Sequence, residues 1–221
     1  MAGASHELRT PLTSVAGAAD LLLGGARHDP GTVERLASVI RSQADRMSRL
    51  VDDLLKLARM ERPGELRRGH VRLDELATEH GREIEHLADG RRISIAAEPV
   101  TLLGDPDRLG QILANLTSNA LRHTPPGGEI RIAARAEDGS ALLSVSDDGE
   151  GIRPEDLPHV FTPFWRTDSS RFSGGAGLGL AIVRELAEAH GGSVELESSP
   201  GKGTAVIVLL PCSPAVTPAE T

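Results

Sequence analysis

The sequence predicts an α+β fold in which a helical hairpin, forming a dimeric four-helix bundle, is followed by an α/β sandwich. Residues 8 to 58 repeat their apolar positions with the spacing of supercoiled helices. From about residue 71 the pattern changes to short strand-like runs that alternate with helix-like ones. We therefore expect the hairpin at 1–60, a linker at 61–70, a second domain at 71–211 and a flexible tail at 212–221.

The first helix of the hairpin is predicted from apolar residues that recur in steps of four and three. These residues are Leu8, Leu12, Val15, Ala19 and Leu22. Such steps are the a/d spacing of a supercoiled bundle. Gly24-Gly25 and then Asp29-Pro30-Gly31 predict the end of this helix and the turn that follows it.

The second helix continues the same spacing, with one polar position at Gln43. Its apolar seam consists of Val33, Leu36, Ile40, Met47, Leu50, Leu54 and Leu57. Ala37, Ala44, Val51 and Ala58 widen this seam beyond what one partner helix covers. A hairpin alone buries too little apolar surface, so we expect two hairpins to form a four-helix bundle in a homodimer.

The stretch SHELRTPLTS at residues 5–14 places an exposed histidine on the first helix. In the predicted heptad His6 and Thr10 lie one turn apart on the solvent face. Pro11 cannot donate to the carbonyl of Glu7, which predicts a kink there. Because the ordinary pKa of histidine is about 6.5, an exposed imidazole is mostly neutral and nucleophilic slightly above neutral pH.

The second domain is expected to form one sheet with helices on one face. Its predicted helices are Leu73–Leu87, a helix capped by Asp105 that runs to about Arg122, and Gly177–His190. Its predicted strands are Ile93–Ala97, Val100–Leu103, Glu129–Ala136, Ala141–Ser146, Ser193–Glu197 and Thr204–Leu210.

The composition excludes several classes of protein. The net charge of −8, from 24 Lys and Arg against 32 Asp and Glu, disfavours a nucleic-acid partner. The longest apolar run, Ala205–Leu210, is far too short to cross a membrane. The single cysteine, Cys212, forbids an intrachain disulfide and is typical of a reducing compartment, so we expect this segment to be cytoplasmic.

Two motifs in the second domain offer polar groups that could bind a nucleotide. NLTSNALRHT places Asn115 and Asn119 one turn apart, where two amides can ligate a hard cation or contact phosphate without adding negative charge. DDGEGI places Asp147 after a strand, followed by Gly149 and Gly151, which let a ring approach the backbone. Each motif alone is also typical of simpler structures, a polar stripe on a surface helix and a hairpin turn respectively.

Two further stretches carry glycines and aromatic side chains. GGAGLGLAIV opens a helix with Gly175, Gly177 and Gly179, which exposes amide donors to an anion. It matches neither the Walker A loop nor the dinucleotide fingerprint, and SPGKGT at 199–204 is read as a turn because a strand follows it. All four aromatic residues lie within VFTPFWRTDSSRF, which is interpreted either as a mobile lid or as a satellite hydrophobic cluster.

Together these stretches resemble the transmitter region of a sensor histidine kinase of two-component signalling. SHELRTPLTS resembles its H box, NLTSNALRHT its N box, DDGEGI its G1 box, FTPFW its F box and GGAGLGL its G2 box. The boxes follow the family's order over roughly residues 4 to 211. The resemblance implies a Bergerat-type (GHKL) ATP-binding domain behind a phosphoacceptor hairpin.

The resemblance implies a role for each matching residue. His6 would accept the phosphoryl group, Glu7 would hold the imidazole Nδ1–H, and Thr10 would position a water for dephosphorylation of the partner. Asn119 would ligate Mg²⁺, Asn115 would assist at the phosphates, and Asp147 would read adenine. The whole set expected to bind the nucleotide is Asn115, Asn119, Arg122, His123, Asp147, Gly149, Gly151, Phe161, Gly175, Gly177, Leu178 and Gly179.

The resemblance also implies an activity and its partners. With ATP and Mg²⁺ as cofactors, the homodimer would phosphorylate itself on His6 and pass the group to an aspartate of a response regulator, with phosphatase activity toward that regulator. The parent protein would be anchored in the inner or cell membrane through N-terminal segments outside this sequence. Two departures are noted: Asp148 replaces a frequent Asn, and TPFWR replaces the commoner ERFYR.

Three other classes of protein share part of this pattern. HELRT begins like the zinc-protease motif H-E-x-x-H, but Thr10 stands at the last ligand position and excludes it. An ATP-operated clamp or scaffold, like the related ATPases of the gyrase and MutL group, would share the nucleotide motifs without needing an exposed His–Glu pair. A degenerate kinase that acts only as a phosphatase or docking partner would lack a catalytic residue, and none is missing.

Overall fold

The computed structural model describes residues 2–25, 29–60, 66–166 and 177–212. The chain divides into two compact units. The helical unit comprises Met1–Arg62 and Phe164–Leu178, and the sheet unit comprises Pro63–Pro163 and Gly179–Thr221.

The helical unit contains the two predicted helices. Helix α1 spans Ala2–Leu23 and helix α2 spans Pro30–Met60. Helix α1 continues through Pro11, and two residues later the Thr13 hydroxyl donates to the Arg9 carbonyl at 3.0 Å. A hydroxyl that bonds back to the fourth preceding carbonyl often accompanies a bent helix. The kink itself stays a prediction.

The two helices contact each other along the predicted seam of α2. The half-buried positions there are Val33, Leu36, Ile40, Gln43 and Met47. In α1 the covered positions are Pro11, Val15, Ala18, Ala19 and Leu22, three of which belong to the predicted seam, whereas Leu12 is 56% exposed. The seam was predicted for a bundle of two hairpins, so Leu12 stays a predicted contact with the second hairpin.

Among the described residues of the sheet unit there are eleven elements, bounded as follows. The strands are β1 Gly69–Arg72, β2 Arg92–Ala97, β3 Thr101–Gly104, β4 Glu129–Glu137, β5 Ser140–Asp147, β6 Ser193–Ser198 and β7 Thr204–Pro211. The helices are α3 Leu73–Glu85, α4 Pro106–His123, α5 Gly179–Ala189 and a 3₁₀ turn at Leu157–His159. Most predicted elements are thus found within one or two residues of their expected bounds.

The strands form two sheets rather than the single expected sheet. Five strands are ordered β2-β4-β5-β7-β6, with β2 parallel to β4 and the remaining pairs antiparallel. Strand β3 instead pairs with β1 in a separate antiparallel ribbon, in which Gly69 faces Gly104. Strand β1 was missed because four residues with one buried position, Val71, carry too little alternation to be recognised.

The core of the sheet unit is aliphatic. Cross-strand neighbours on one face of the large sheet are fully or almost fully buried, for example Ile132, Val145 and Val206. Helices α3, α4 and α5 contact these strands, and α4 buries Leu109, Ile112, Leu113 and Leu116. None of the described helices combines the length and hydropathy that crossing a bilayer requires.

Helix α4 begins where the sequence predicted it. The Asp105 Oδ1 accepts from the backbone N–H of Asp107 at 3.1 Å and of Arg108 at 3.3 Å. This satisfies two of the donors that every helix leaves unpaired at its first turn. Pro106 follows at the first helical position, where no N–H is required. The cap fixes the register of the helix that carries Asn115 and Asn119.

Candidate active site

The two asparagines of α4 lie directly against the first residue of α5. A Cβ added to Gly179 would lie 3.5 Å from Asn115 Oδ1 and 3.5 Å from Asn119 Nδ2. The Asn115 Nδ2 donates to the Gln111 carbonyl at 2.9 Å, which directs the amide oxygen away from its own helix. The first turn of a helix offers unpaired N–H donors. Two amides and a helix N-terminus therefore meet at one place, as an anion site requires.

Asp147 ends strand β5 as a half-buried carboxylate. Burial raises the pKa of Asp147, and only in part do the backbone N–H groups of Gly149 and Thr204 and the nearby His123 oppose this rise. The Gly149 N–H donates to Asp147 Oδ1 at 2.9 Å. Burying a carboxylate that can still accept further hydrogen bonds costs free energy of folding. Such carboxylates are typical of functional sites.

Glycines surround Asp147 because backbone segments meet there. A Cβ at Gly149 would collide with the His123 carbonyl oxygen, and a Cβ at Gly203 with the carbonyl of Asp147 itself. Gly151 has a positive φ of 68°, and a Cβ there would strike the Ser199 carbonyl. The SPGKGT stretch thus forms the predicted turn, between β6 and β7, and it packs against the DDGEGI loop.

A histidine–glutamate contact joins the end of α4 to the same loop. His123 Nδ1 lies 2.7 Å from Glu150 Oε1, and the Glu150 N–H donates to the His123 carbonyl at 3.4 Å. His123 was among the residues predicted for the site, whereas Glu150 was not, because its only signal was its place inside the DDGEGI motif. Asp148 is exposed, and its Oδ1 accepts from the Glu129 N–H at 2.8 Å.

The aromatic stretch is anchored at Phe161. The Arg184 guanidinium carbon lies 4.2 Å from the centre of the Phe161 ring, a cation–π contact between the FTPFW motif and α5. Arg184 was not among the predicted site residues, because no local sequence pattern indicates that a cation will contact a ring from another segment. The Phe164 N–H donates to the Gly177 carbonyl at 2.9 Å. Gly175 lies outside the described residues, while Gly177 has a φ of 70° and Leu178 is buried.

The residues predicted for phosphoryl transfer lie on the first turns of α1. His6 and Glu7 are helical, but their side chains lie outside the described part of the chain. Thr10 is exposed, as predicted, and Arg122 is exposed on the last turn of α4. Within the described residues, no three His, Cys, Asp or Glu side chains cluster as a metal site would require. Amide oxygens and ligand phosphates are groups that can ligate Mg²⁺.

Replacing Gly149 with alanine is expected to damage the site and the fold. The added methyl meets a backbone carbonyl that cannot move aside, so we expect Gly149→Ala to lower the free energy of unfolding by about 1–3 kcal/mol. Nucleotide-induced stabilisation, measured as a shift in Tm, should be lost as well. Gly110→Ala is the control, because Gly110 lies in α4 with nothing within 4 Å of an added Cβ. This control should stabilise by about 0.5–1 kcal/mol. Equal Tm values for the two variants would contradict the predicted clash.

An α/β sandwich that carries an amide pair, a half-buried aspartate and a glycine-rich helix entry is typical of nucleotide-binding domains. Residues 104–214 match the family of histidine kinase-, DNA gyrase B-, and HSP90-like ATPases, and residues 1–63 match the His Kinase A (phospho-acceptor) domain. The chain belongs to the sensor histidine kinases of two-component systems. The match of residues 1–63 favours a kinase over the clamp or scaffold alternative.

Individual relatives agree with this family. Sensor protein SrrB of Staphylococcus aureus is 34% identical over 218 residues, which are 96% of this chain and 37% of SrrB. Full-length ShkA, solved in complex with AMPPNP, is 33% identical with a TM-score of 0.72, over 97% of this chain and 46% of ShkA. ThkA, solved with the response regulator TrrA, is 25% identical with a TM-score of 0.77, over 96% of this chain and 61% of that one. The chain thus spans about 37% of the length of the curated relatives it matches.

Proposed function

We propose that this chain binds ATP, phosphorylates itself on His6 and passes the phosphoryl group to an aspartate of a response regulator. The observation that carries the proposal is the convergence of Asn115, Asn119 and Gly179. These residues follow, along the chain, a segment that matches a phosphoacceptor domain. The decisive experiment is the incorporation of label from γ-labelled ATP, which should appear as acid-labile, base-stable label on wild-type protein and be absent from His6→Gln.

The environment of Asp147 fits an adenine ring. An ionised carboxylate can accept a hydrogen bond from an exocyclic amine, and this carboxylate already lacks part of its water. Close backbone contacts around Asp147 require glycine at 149 and 203, because side chains at either position would collide with neighbouring backbone atoms. Bound AMPPNP in the related ShkA supports an adenine nucleotide as the ligand of this fold.

The asparagine pair fits the triphosphate and its cation. Neutral amides add no repulsive charge beside phosphates, and the α5 N-terminus offers further N–H donors. We propose that Asn119 holds Mg²⁺ through its amide oxygen, with Asn115 assisting at the phosphates. Mg²⁺ usually keeps few protein ligands and shares phosphate oxygens, which suits a site without a carboxylate cluster among the described residues. When bound, the cation neutralises charge that develops on the phosphates.

His6 and Glu7 would divide the chemistry of transfer. Glu7 accepts the Nδ1–H hydrogen bond and so leaves the Nε2 lone pair to attack the γ-phosphorus. The N–P bond forms, the bond from phosphorus to the bridging oxygen breaks, and ADP leaves. Glu7 also stabilises the positive charge that forms on the phosphorylated ring. Most of the rate would come from positioning and electrostatics, because phosphoryl transfer needs little covalent help from the protein.

Thr10→Ala is expected to slow dephosphorylation of the regulator while leaving autophosphorylation intact. The hydroxyl at this position would hold the attacking water, and general positioning of this kind contributes roughly a hundredfold. Thr13→Ala is the matched control, because Thr13 is exposed on the same helix and its hydroxyl is bound to the Arg9 carbonyl. The measurement is loss of label from a receiver domain that the wild-type protein has labelled. Equal rates for both variants would remove Thr10 from this role.

We propose that two chains form a homodimer through their hairpins. A single hairpin leaves Leu12, Leu21 and Leu23 56–76% exposed, and Val39 and Val51 more than 40% exposed. Apolar surface of this extent on a helix pair is typical of an unfilled bundle. The expected mass in solution is twice the 23.3 kDa of one chain, and a particle with the mass of a single chain would contradict the proposal.

We also propose that the parent protein is attached to a membrane. The support is the resemblance to sensor kinases and the description of SrrB as a sensor protein. Fractionation of cells should place the full-length protein in the membrane pellet, and recovery in the soluble fraction would contradict this.

A further inference from the structure

The two residues before β1, Arg67 and Arg68, are bonded to the far ends of the two helices of the candidate site. The Arg67 N–H donates to Asp105 Oδ2 at 3.0 Å. The Arg68 guanidinium donates to the carbonyl of Ala189, the last residue of α5, at 3.3 Å. The pairing of Gly69 with Gly104 then holds β1 beside the residue that precedes Asp105. Hydrogen bonds and strand pairing therefore both hold this end of the linker against the ends of α4 and α5.

Asp105 uses its two carboxylate oxygens for two different tasks. Its Oδ1 caps α4 by accepting from Asp107 and Arg108, while its Oδ2 accepts only from the linker N–H of Arg67 among the bonds described. The side chain is 6% exposed, so water cannot easily replace either partner. One residue thus connects the linker to the start of the helix that carries both asparagines.

His190 connects the same residue to α5. Its Nε2 accepts from the Asp105 N–H at 3.1 Å, and its Nδ1 lies 2.7 Å from the Leu186 carbonyl. Since a carbonyl only accepts, the proton lies on Nδ1 and the ring is neutral. The ring is 4% exposed. We call Arg67, Arg68, Asp105, Ala189 and His190 the linker joint.

The linker joint and the candidate site lie at opposite ends of the pair formed by α4 and α5. At one end Asp105 and His190 hold the start of α4 to the end of α5, and at the other end Gly179 lies against Asn115 and Asn119. The end of the linker at Arg67 and Arg68 is thus bonded to residues at the ends of both α4 and α5. The transfer of a phosphoryl group depends on the orientation of donor and acceptor, and small misplacements slow it greatly.

We propose that Asp105 is a positioning residue for phosphoryl transfer, whose Oδ2 fixes the direction of the linker relative to the ATP-binding helices. This inference rests on the proposed autophosphorylation of His6. Asp105 touches neither substrate nor reacting atoms; it acts through the Arg67 backbone. The proposal predicts that phosphoryl transfer depends on the hydrogen bond from the Arg67 N–H to Asp105 Oδ2, whereas nucleotide binding does not.

The test replaces Asp105 with asparagine in the full 221-residue chain. Asparagine caps helices as well as aspartate does, so its Oδ1 keeps α4 capped, but its NH₂ faces the Arg67 N–H and cannot accept from it. Asp107→Asn is the matched control, because it removes the same charge from the same helix end without touching Arg67. Asp105→Ala removes both functions and shows the effect of losing the cap.

Three readouts separate positioning from folding. For Asp105→Asn, hydrogen exchange of the Arg67 amide should accelerate while the Asp107 and Arg108 amides stay protected. The Kd for ADP with Mg²⁺ should stay within about twofold of wild type, since the cap remains. The rate of His6 labelling at saturating ATP should fall roughly tenfold or more. Asp107→Asn should match wild type in all three.

Several outcomes would overturn the inference. Unchanged exchange at Arg67 would mean that the bond does not hold the linker. Accelerated exchange with a wild-type labelling rate would mean that the bond does not serve transfer. A parallel loss of nucleotide affinity would reduce Asp105 to a structural cap. If wild-type protein acquires no label at His6, the proposed function fails, and the inference fails with it.

Discussion

His6→Gln is expected to abolish labelling from γ-labelled ATP while leaving nucleotide binding unchanged. Glutamine preserves polarity and helix propensity on the first turns of α1, but its amide has no nucleophilic ring nitrogen. Removing the acceptor of a covalent step should lower the rate by at least about a thousandfold. The measurement is acid-labile, base-stable label per chain after incubation with Mg²⁺ and ATP.

Two companion variants show where a loss of label arises. His70→Gln changes an exposed histidine on β1 and should label like wild type. Asn119→Asp should lose label because it binds nucleotide less well: a carboxylate beside the phosphates repels them. In this variant the affinity for ADP should therefore fall together with the labelling. Label that survives in His6→Gln would end the assignment of the nucleophile, whatever the nucleotide affinity.

Asp147→Asn is expected to weaken nucleotide binding by roughly a hundredfold or more, because the exocyclic amine loses its charged acceptor inside a desolvated site. Asp148→Asn is the control: the neighbouring side chain is exposed, and an asparagine there can still accept from the Glu129 N–H. This control also restores the residue that the family frequently carries. The measurement is the Kd for ADP with Mg²⁺, and equal values for the two variants would remove Asp147 from the adenine site.

The same substitution should not weaken the ligand-free fold. Burial raises the pKa of Asp147, so the folded state holds this proton more tightly than the unfolded chain does. Its contribution to stability is present below the ordinary carboxyl pKa and is lost as pH rises through the raised pKa. At neutral pH the ionised group therefore opposes folding, and we expect Asp147→Asn to have a Tm equal to or above that of wild type. A clearly lower Tm would show that the carboxylate stabilises the fold.

The raised pKa of Asp147 also gives nucleotide binding a pH dependence. Only the ionised carboxylate can accept hydrogen bonds at both oxygens without carrying a proton itself. The affinity for nucleotide should therefore fall as the pH decreases through the raised pKa of Asp147. This fall should occur at a higher pH than it would for an ordinary aspartate. The weak residual binding of Asp147→Asn should not change over the same interval. Thermal shifts measured with ADP and Mg²⁺ across this interval check both statements, and a parallel fall in both proteins would assign the effect to another group.

Much of the fold and the site was predictable because it depends on neighbours in the chain. The bounds of α4 follow from the Asp105 cap, and the seam of α2 follows from the repeat at Val33, Leu36 and Ile40. The NLTSNALRHT and DDGEGI motifs likewise identify Asn119 and Asp147 by type and spacing. Such features are encoded within one or two turns of helix, where a residue's partners are its own sequence neighbours.

Only the tertiary structure decided which distant segments meet. No local pattern indicated that β1 would pair with β3, that Gly179 would touch both asparagines, or that Phe161 would lie under Arg184. The side of α1 that faces α2 was likewise settled by packing, with Leu12 left exposed. These contacts join residues far apart in sequence, and their free energy depends on burial and geometry that exist only after the chain has folded. The sequence motifs by themselves therefore predict which residues could carry the chemistry. The hydrogen bond from Arg67 to Asp105, in contrast, exists because folding brings together residues separated by 38 positions.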